Sequence, residues 1–155
     1  MHRRIGTLGV IAALVAVVGL VALQTGASAG EKLKAKKMSG EKELDATTLA
    51  PGAGDPDGRG RAKVWATDAD TLCFKLHWNK IGDPSAAHIH TGTSTENGAI
   101  LVGLYMGDPL SGHNLTGCVD TTAENVTNIF ANPSGFYVNV HNSEFPGGAI
   151  RGQLS

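Results

Sequence analysis

The chain lacks the short signatures of the common enzyme classes. It contains no Gly-x-Ser-x-Gly segment, no His-Glu-x-x-His segment and no glycine loop of the phosphate-binding type. Cysteine is scarce, with two residues in 155, and charged residues make up only 17%. After residue 42 the chain holds six Lys or Arg against twelve Asp or Glu, so no nucleic-acid partner is expected. These absences favour a non-enzymatic protein without deciding the question.

One long apolar run is present, at the N-terminus. Arg3 and Arg4 precede an almost wholly apolar segment from Ile5 to Leu23, and the small residues 27–29 follow it. This order predicts a secretory signal peptide over residues 1–29. The alternative is an uncleaved membrane anchor, because about 19 apolar residues just span a bilayer. We therefore expect a secreted or envelope-associated protein of bacterial type, with no membrane span after cleavage.

The two cysteines, Cys73 and Cys118, are expected to form a disulfide. Export places them in an oxidising compartment, and the chain has no third thiol to compete. Closing a loop of about 45 residues would stabilise the fold by roughly 4 kcal/mol in the chain-entropy treatment. Paired cysteines are neither nucleophiles nor thiolate ligands, so cysteine chemistry is not expected.

The remaining 30–155 segment has the size of one domain with a single core. Its first residues, 30–40, show no periodic pattern and are rich in lysine. We expect these residues to form a basic tail, either solvated or in contact with anionic wall polymers or lipid head groups. The domain itself is expected to span residues 41–155.

Alternating patterns predict seven or eight short strands. The clearest hairpin joins residues 59–67 to 71–78, with the Leu, Phe, Leu and Trp of the second strand on one face. One helix is expected over 122–131, because Thr121 and Glu124 have capping-box spacing. Further strands are expected at 42–47, 86–92, 99–106, 114–119, 136–141 and 149–154, with 99–106 buried on both faces. The prediction is an all-β, antiparallel immunoglobulin-like β-sandwich with one short helix.

Histidines recur on one face of two of these strands. His88 and His90 project together because successive side chains of a strand alternate between its faces, and His141 shares a face with Tyr137 and Asn139. Three imidazoles on one surface would suit copper or zinc and leave a coordination position open.

Two further histidines, His77 and His113, are candidates for a fourth ligand. The alternative is that the histidines are structural and bond backbone carbonyls or neighbouring polar side chains at the sheet edge. A separate structural role is expected for Arg151 in the closing strand. Its guanidinium is expected to bond either several backbone carbonyls or a carboxylate, with Asp120 and Glu144 as candidates.

Three further segments belong together: Ala87 to Gly92, Tyr137 to His141, and Gly148 to Leu154. In this order they resemble the CHRD domain, a module named after chordin and common in secreted bacterial proteins, and the likeness extends from about residue 40 to the C-terminus. It departs at Ala149, where CHRD sequences usually carry Glu. The resemblance implies a β-sandwich whose partner is an unknown envelope or extracellular protein or polymer.

A weaker, architectural likeness connects the chain to copper/zinc superoxide dismutases. Those proteins are β-sandwiches that hold copper on a His-x-His strand and a later histidine-bearing strand, but their longer set of zinc ligands is not evident here. Two functions therefore stay open. One is a secreted, non-enzymatic binding or structural module. The other is a copper- or zinc-binding metalloprotein, redox-active or metal-handling, with His88, His90 and His141 as ligands.

Overall fold

Eight antiparallel strands form one continuous hydrogen-bonded sheet in the computed structural model, which describes residues 30–155. The predicted signal peptide lies outside the described residues. The order across the sheet is β5-β4-β7-β8-β1-β2-β3-β6. The strands are β1 Lys32–Ser39, β2 Arg59–Ala66, β3 Thr71–Asn79, β4 Pro84–Thr91, β5 Ile100–Met106, β6 Asn114–Asp120, β7 Phe136–Asn142 and β8 Ile150–Gln153.

The sheet curls until its two edge strands, β5 and β6, approach within 8 Å between Cα atoms. Its inner face therefore encloses one apolar core, to which Ile89 on β4, Val138 on β7 and Leu72 on β3 all contribute. The chain has an all-β sandwich architecture, as the alternating patterns predict, but the two layers belong to a single nearly closed sheet.

The predicted central hairpin is confirmed. β2 and β3 pair along their whole length, from Arg59 opposite Asn79 to Ala66 opposite Leu72. The even-numbered apolar side chains of β3 are all buried, because the period of two places them together on the inner face. Local alternation was sufficient to define this part of the fold.

The N-terminal segment differs from its prediction. Residues 32–39 are strand β1, between β8 and β2, and do not form a tail. Leu33, Ala35 and Met38 are buried in the core while the intervening lysines are exposed, so the lysines mask an alternating strand that one bulge interrupts. The strand expected at 42–47 is absent, and a short 3-10 turn at Gly40–Lys42 leads into a loop there.

The apolar strand β5 also differs from its prediction. It lies at an edge of the sheet and is not buried on both faces. Val102 and Leu104 face the core, whereas the alternate residues Leu101, Gly103 and Tyr105 are only partly buried or exposed. The two end residues, Ile100 and Met106, are 55% and 79% exposed. An apolar run of this length does not distinguish a central from an edge strand, because strand order is set by the other strands.

Helix α1, Ala123–Ala131, matches the one helix expected. Its N-cap is Thr122, whose side chain accepts a hydrogen bond from the Asn125 amide at 3.1 Å, one residue later than the capping-box spacing indicates. Val126 and Ile129 are buried beneath it. The helix thus adds apolar side chains to the core.

The predicted disulfide is present. Cys73 on β3 and Cys118 on β6 lie directly opposite each other in neighbouring strands and are bonded. The bond ties edge strand β6 to the hairpin. Residues 30–155 contain no free cysteine, so thiol chemistry is ruled out for this part of the chain.

Candidate functional site

The two histidine-bearing strands, β4 and β7, are neighbours in the sheet. Their register places His88 opposite Asn139, His90 opposite Tyr137 and Ala86 opposite His141. Intervening apolar residues such as Ile89 point into the core. Strand alternation therefore brings all three imidazoles onto the same outer face.

The three histidines form one compact cluster. Each offers a ring nitrogen, and these three atoms all lie within 4.8 Å of one another. His88 Nδ1 is 3.2 Å from His141 Nε2, and the His88 ring centre is 5.6 Å from that of His90. The expectation that His88, His90 and His141 share one surface is confirmed.

Two backbone carbonyls orient the cluster. Nδ1 of His90 lies 3.1 Å from the Gly98 carbonyl oxygen, and Nδ1 of His141 lies 3.1 Å from that of Pro146. A carbonyl only accepts hydrogen bonds, so in both rings Nδ1 carries the hydrogen and Nε2 keeps its lone pair. His90 Nε2 and His88 Nε2 are buried without a partner among residues 30–155. The site therefore presents unsatisfied imidazole nitrogens.

Burial keeps these imidazoles neutral. Burial, together with the smaller effects of the nearby His141 and His90, lowers the pKa of His88 to about 4. The pKa values of His90 and His141 are also lowered by burial, although the bonds to Gly98 and Pro146 oppose that effect. Neutral imidazole is the form that ligates metal ions.

Loops from distant parts of the chain cover this outer face. Asn97, in the loop between β4 and β5, donates from Nδ2 to the Leu44 carbonyl at 3.2 Å and so joins two of these loops. A Cβ at Gly98 would lie 1.8 Å from the Thr91 carbonyl oxygen, so the turn requires glycine there. Under this cover, His88 is only 5% and His90 only 8% exposed.

Arg151 on β8 anchors the same loop. Its guanidinium donates to Asn97 Oδ1 at 3.0 Å and to the carbonyls of Thr93 and Glu96 at 3.1 and 3.0 Å. The expected bonding to several backbone carbonyls is confirmed, whereas neither carboxylate candidate, Asp120 or Glu144, is its partner. Both carboxylates are exposed, whereas Arg151 is buried and its guanidinium donates to the loop groups named above.

An aromatic ring connects the arginine to the cluster. The Arg151 guanidinium carbon is 3.5 Å from the centre of the Tyr137 ring, which stacks on His90 at 4.9 Å between ring centres. Stacking on Tyr137, which is itself held by cation–π attraction to Arg151, therefore fixes the His90 ring in addition to its Gly98 hydrogen bond.

Sequence reasoning missed Glu43. This glutamate lies just after the Gly40–Lys42 turn, is 3% exposed, and accepts a hydrogen bond from Asn139 Nδ2 at 3.3 Å. Its other oxygen, Oε1, and the Asn139 Oδ1 are buried without a partner in the described part of the chain. No local pattern marks it, because a loop brings Glu43 to a strand 96 residues away.

The Glu43 carboxyl is a protonated acid at neutral pH. Burial raises its pKa to about 8, although the Arg151 charge and the Asn139 hydrogen bond lower it. Glu43 and Asn139 line a pocket of about 440 Å³ together with His90 and Tyr137. The histidine cluster therefore borders this cavity through His90.

Comparison with known families identifies the domain. The CHRD domain family matches residues 35–154, most of the chain, and the match begins inside β1. The chain belongs to the CHRD family. No curated protein and no solved structure matches it, so the likeness to copper/zinc superoxide dismutases stays a prediction.

Membership in the CHRD family supports a non-enzymatic module. The Cys73–Cys118 disulfide is consistent with an extracellular protein. Within residues 30–155, the helices are all too short or too polar to cross a membrane.

The two candidate fourth ligands lie outside the histidine cluster of this CHRD domain. His77 on β3 is 3.1 Å from Asn114 Oδ1 on β6, which is the opposite end of the sheet order from β4. His113 is exposed in the loop before β6. The cluster therefore has three histidines.

Proposed function

We propose that this CHRD domain is exported and binds one copper or zinc ion through His88, His90 and His141 at the cell envelope. The observation that carries the proposal is the convergence of three neutral imidazoles, two of them buried and that of His141 partly buried, with their nitrogens within 4.8 Å of one another. Buried nitrogens without hydrogen-bond partners are costly, and a metal ion would satisfy them.

The hydrogen bonds around the cluster fit this proposal. Histidines that ligate metals usually donate their other ring N–H to a carbonyl or carboxylate, which fixes the ring and its tautomer. His90 and His141 have such bonds to Gly98 and Pro146. Nitrogens about 2 Å from a shared zinc ion lie roughly 3.3 Å apart, so side-chain shifts of about 1 Å suffice to close the site.

The donor set limits the metal and its chemistry. Imidazole nitrogens suit copper and zinc, and the absence of thiolate or clustered carboxylate donors disfavours soft cuprous-thiolate sites and calcium sites. Three protein ligands leave a coordination position open, so copper there would supply redox chemistry and zinc a polarised water. Either role is compatible with a metal-handling module.

A second candidate function is a purely structural or binding module. The His88–His141 contact and the two histidine–carbonyl bonds tie β4, β7 and two loops together without any ion. In that case the cluster would stabilise the covered face, and the function would belong to a partner-binding surface elsewhere. The unpartnered His88 and His90 nitrogens favour the metal site.

Metal titration of the mature, chelator-treated protein distinguishes the two. We expect isothermal calorimetry at neutral pH to show saturable uptake of about one copper(II) or zinc ion per chain. His90→Ala should abolish uptake, whereas the exposed His113→Ala should retain it, and circular dichroism should show both variants folded. Absence of saturable uptake of either metal would leave the histidines as structural hydrogen-bonding groups.

A further inference from the structure

Exposed cations are concentrated on the outer face of β1, β2 and β3. This basic face consists of Lys32, Lys34, Lys36, Lys37, Arg59, Arg61, Lys63 and Lys75. These are eight of the eleven Lys and Arg between residues 30 and 155. Since acidic residues outnumber bases two to one after residue 42, the charge of the domain is strongly segregated.

Three of these lysines form a row across neighbouring strands. Lys34 lies directly opposite Lys63, and Lys63 lies directly opposite Lys75. Neighbouring strands are about 4.8 Å apart, so three ammonium groups are anchored along roughly 10 Å. Like charges placed directly opposite each other destabilise a sheet. The row therefore has an energetic cost that a bound anion would relieve.

No acidic side chain neutralises this row. Among the described residues, the one ion pair within 4 Å joins Arg59 to Glu41 at 3.5 Å, and both groups are exposed. Opposite Lys75 on the other side lies the neutral Thr116. The row consequently projects an uncompensated positive potential into solvent.

A bulge in β1 lies beside a depression lined by basic side chains. Ala35 pairs with Ala62 and Met38 with Gly60, so Lys36 and Lys37 together oppose the single Arg61. Lys37 has a φ of +58°, which is uncommon for a residue other than glycine. A depression of about 280 Å³ lies here, lined by Lys36, Lys37, Arg59, Arg61 and His77 with Gly60 and Asn79.

We infer that this basic face is a docking surface for a linear anionic polysaccharide. A row of separate ammonium charges and an adjoining basic depression match repeated anionic groups along a chain. Trp65 lies half-buried on the same face, with the Lys32 ammonium 5.8 Å from its ring centre, and offers a flat surface for a sugar ring.

A lipid surface fits the face less well. Membrane-associated faces combine cations with exposed apolar anchors. The large exposed apolar side chains of the described residues are Leu49, Ile100 and Met106, and none lies on β1, β2 or β3. The histidine cluster is on β4 and β7, so polymer binding would leave the proposed metal site accessible.

The test uses dextran sulfate, with neutral dextran as the polymer of matched backbone. We expect the mature protein to bind dextran sulfate at about 0.15 M salt and to show no binding to dextran. A triple variant, Lys34→Gln with Lys63→Gln and Lys75→Gln, should weaken binding at least tenfold. It should also reduce the steepness of the slope of log affinity against log salt concentration by about two to three, since fewer counterions are released.

Matched variants separate this effect from misfolding and from metal binding. Lys80→Gln removes an exposed lysine from the turn after β3 and should bind as the wild type does. The triple variant should unfold at the same or a higher temperature, because it relieves like-charge repulsion. His90→Ala should keep polymer binding. Equal binding by the triple variant, no binding to dextran sulfate, or stronger binding to phosphatidylglycerol vesicles would each overturn the inference.

Discussion

Replacing Glu43 with Gln should remove a pH dependence of stability above pH 6.5. Glu43 is protonated in the folded protein at neutral pH, because burial raises its pKa to about 8 from 4.5. Below pH 4.5 the group is protonated in both states and does not oppose folding. Between pH 4.5 and 8 the unfolded chain releases a proton that the folded protein retains, so the free energy of unfolding falls as pH rises.

The magnitude follows from the pKa difference. A pKa shift from 4.5 to about 8 lowers the free energy of unfolding by about 5 kcal/mol once the pH is well above 8. About 2 kcal/mol of this loss should occur between pH 6.5 and 9. The cluster histidines change stability in the opposite direction, because their pKa values are lowered in the folded protein. They lower the free energy of unfolding only as the pH falls below 6.5. They therefore do not obscure the effect of Glu43 in the alkaline range.

The assay is urea unfolding of the metal-free, disulfide-intact protein from pH 6.5 to 9, followed by tryptophan fluorescence. Over this range the free energy of unfolding of the wild type should fall by about 2 kcal/mol relative to that of Glu43→Gln. The control is Glu41→Gln, at an exposed position, whose free energy of unfolding should vary with pH as that of the wild type does. Parallel curves for the wild type and Glu43→Gln would refute the reasoning, because they would show that Glu43 is ionised or solvated in the folded protein.

Two further perturbations follow from contacts in the fold. Arg151→Ala should destabilise by about 2–4 kcal/mol in urea unfolding, because it leaves Asn97 Oδ1 and two loop carbonyls without their donor, and an unchanged midpoint would contradict this. Thiol titration of the denatured mature chain should detect no free thiol, since Cys73 and Cys118 are bonded, and reduction should lower the melting temperature. Two reactive thiols per chain before reduction would exclude the disulfide.

Local alternation of apolar and polar residues determined which side chains share a strand face in this protein. The period of two fixed the β2–β3 hairpin and placed His88 with His90 and Tyr137 with His141, because the face of a strand residue depends only on its position along the strand. The pairing of the cysteines followed from their number. Capping chemistry located helix α1 within one residue, since N-caps are local hydrogen bonds.

Strand order and burial were decided by the tertiary structure. The lysine-rich 32–39 segment became β1 because β8 and β2 supply its hydrogen bonds. β5 is an edge strand because it pairs with β4 on one side and with no strand on its other side. Neither fact has a local signal. The same packing brings eight lysines and arginines from three separate strands onto one charged surface.

The chemistry of the site likewise depends on contacts distant in sequence. Asn97 and Arg151 hold a loop over the outer face, where His88 and His90 are buried and His141 is partly buried, and burial lowers the pKa of all three imidazoles. Glu43 reaches Asn139 across 96 residues and becomes a protonated acid there. The sequence by itself determined which side chains share a face. Only the tertiary structure decided which of them lose their water, and desolvation is what sets their pKa values and their need for a ligand.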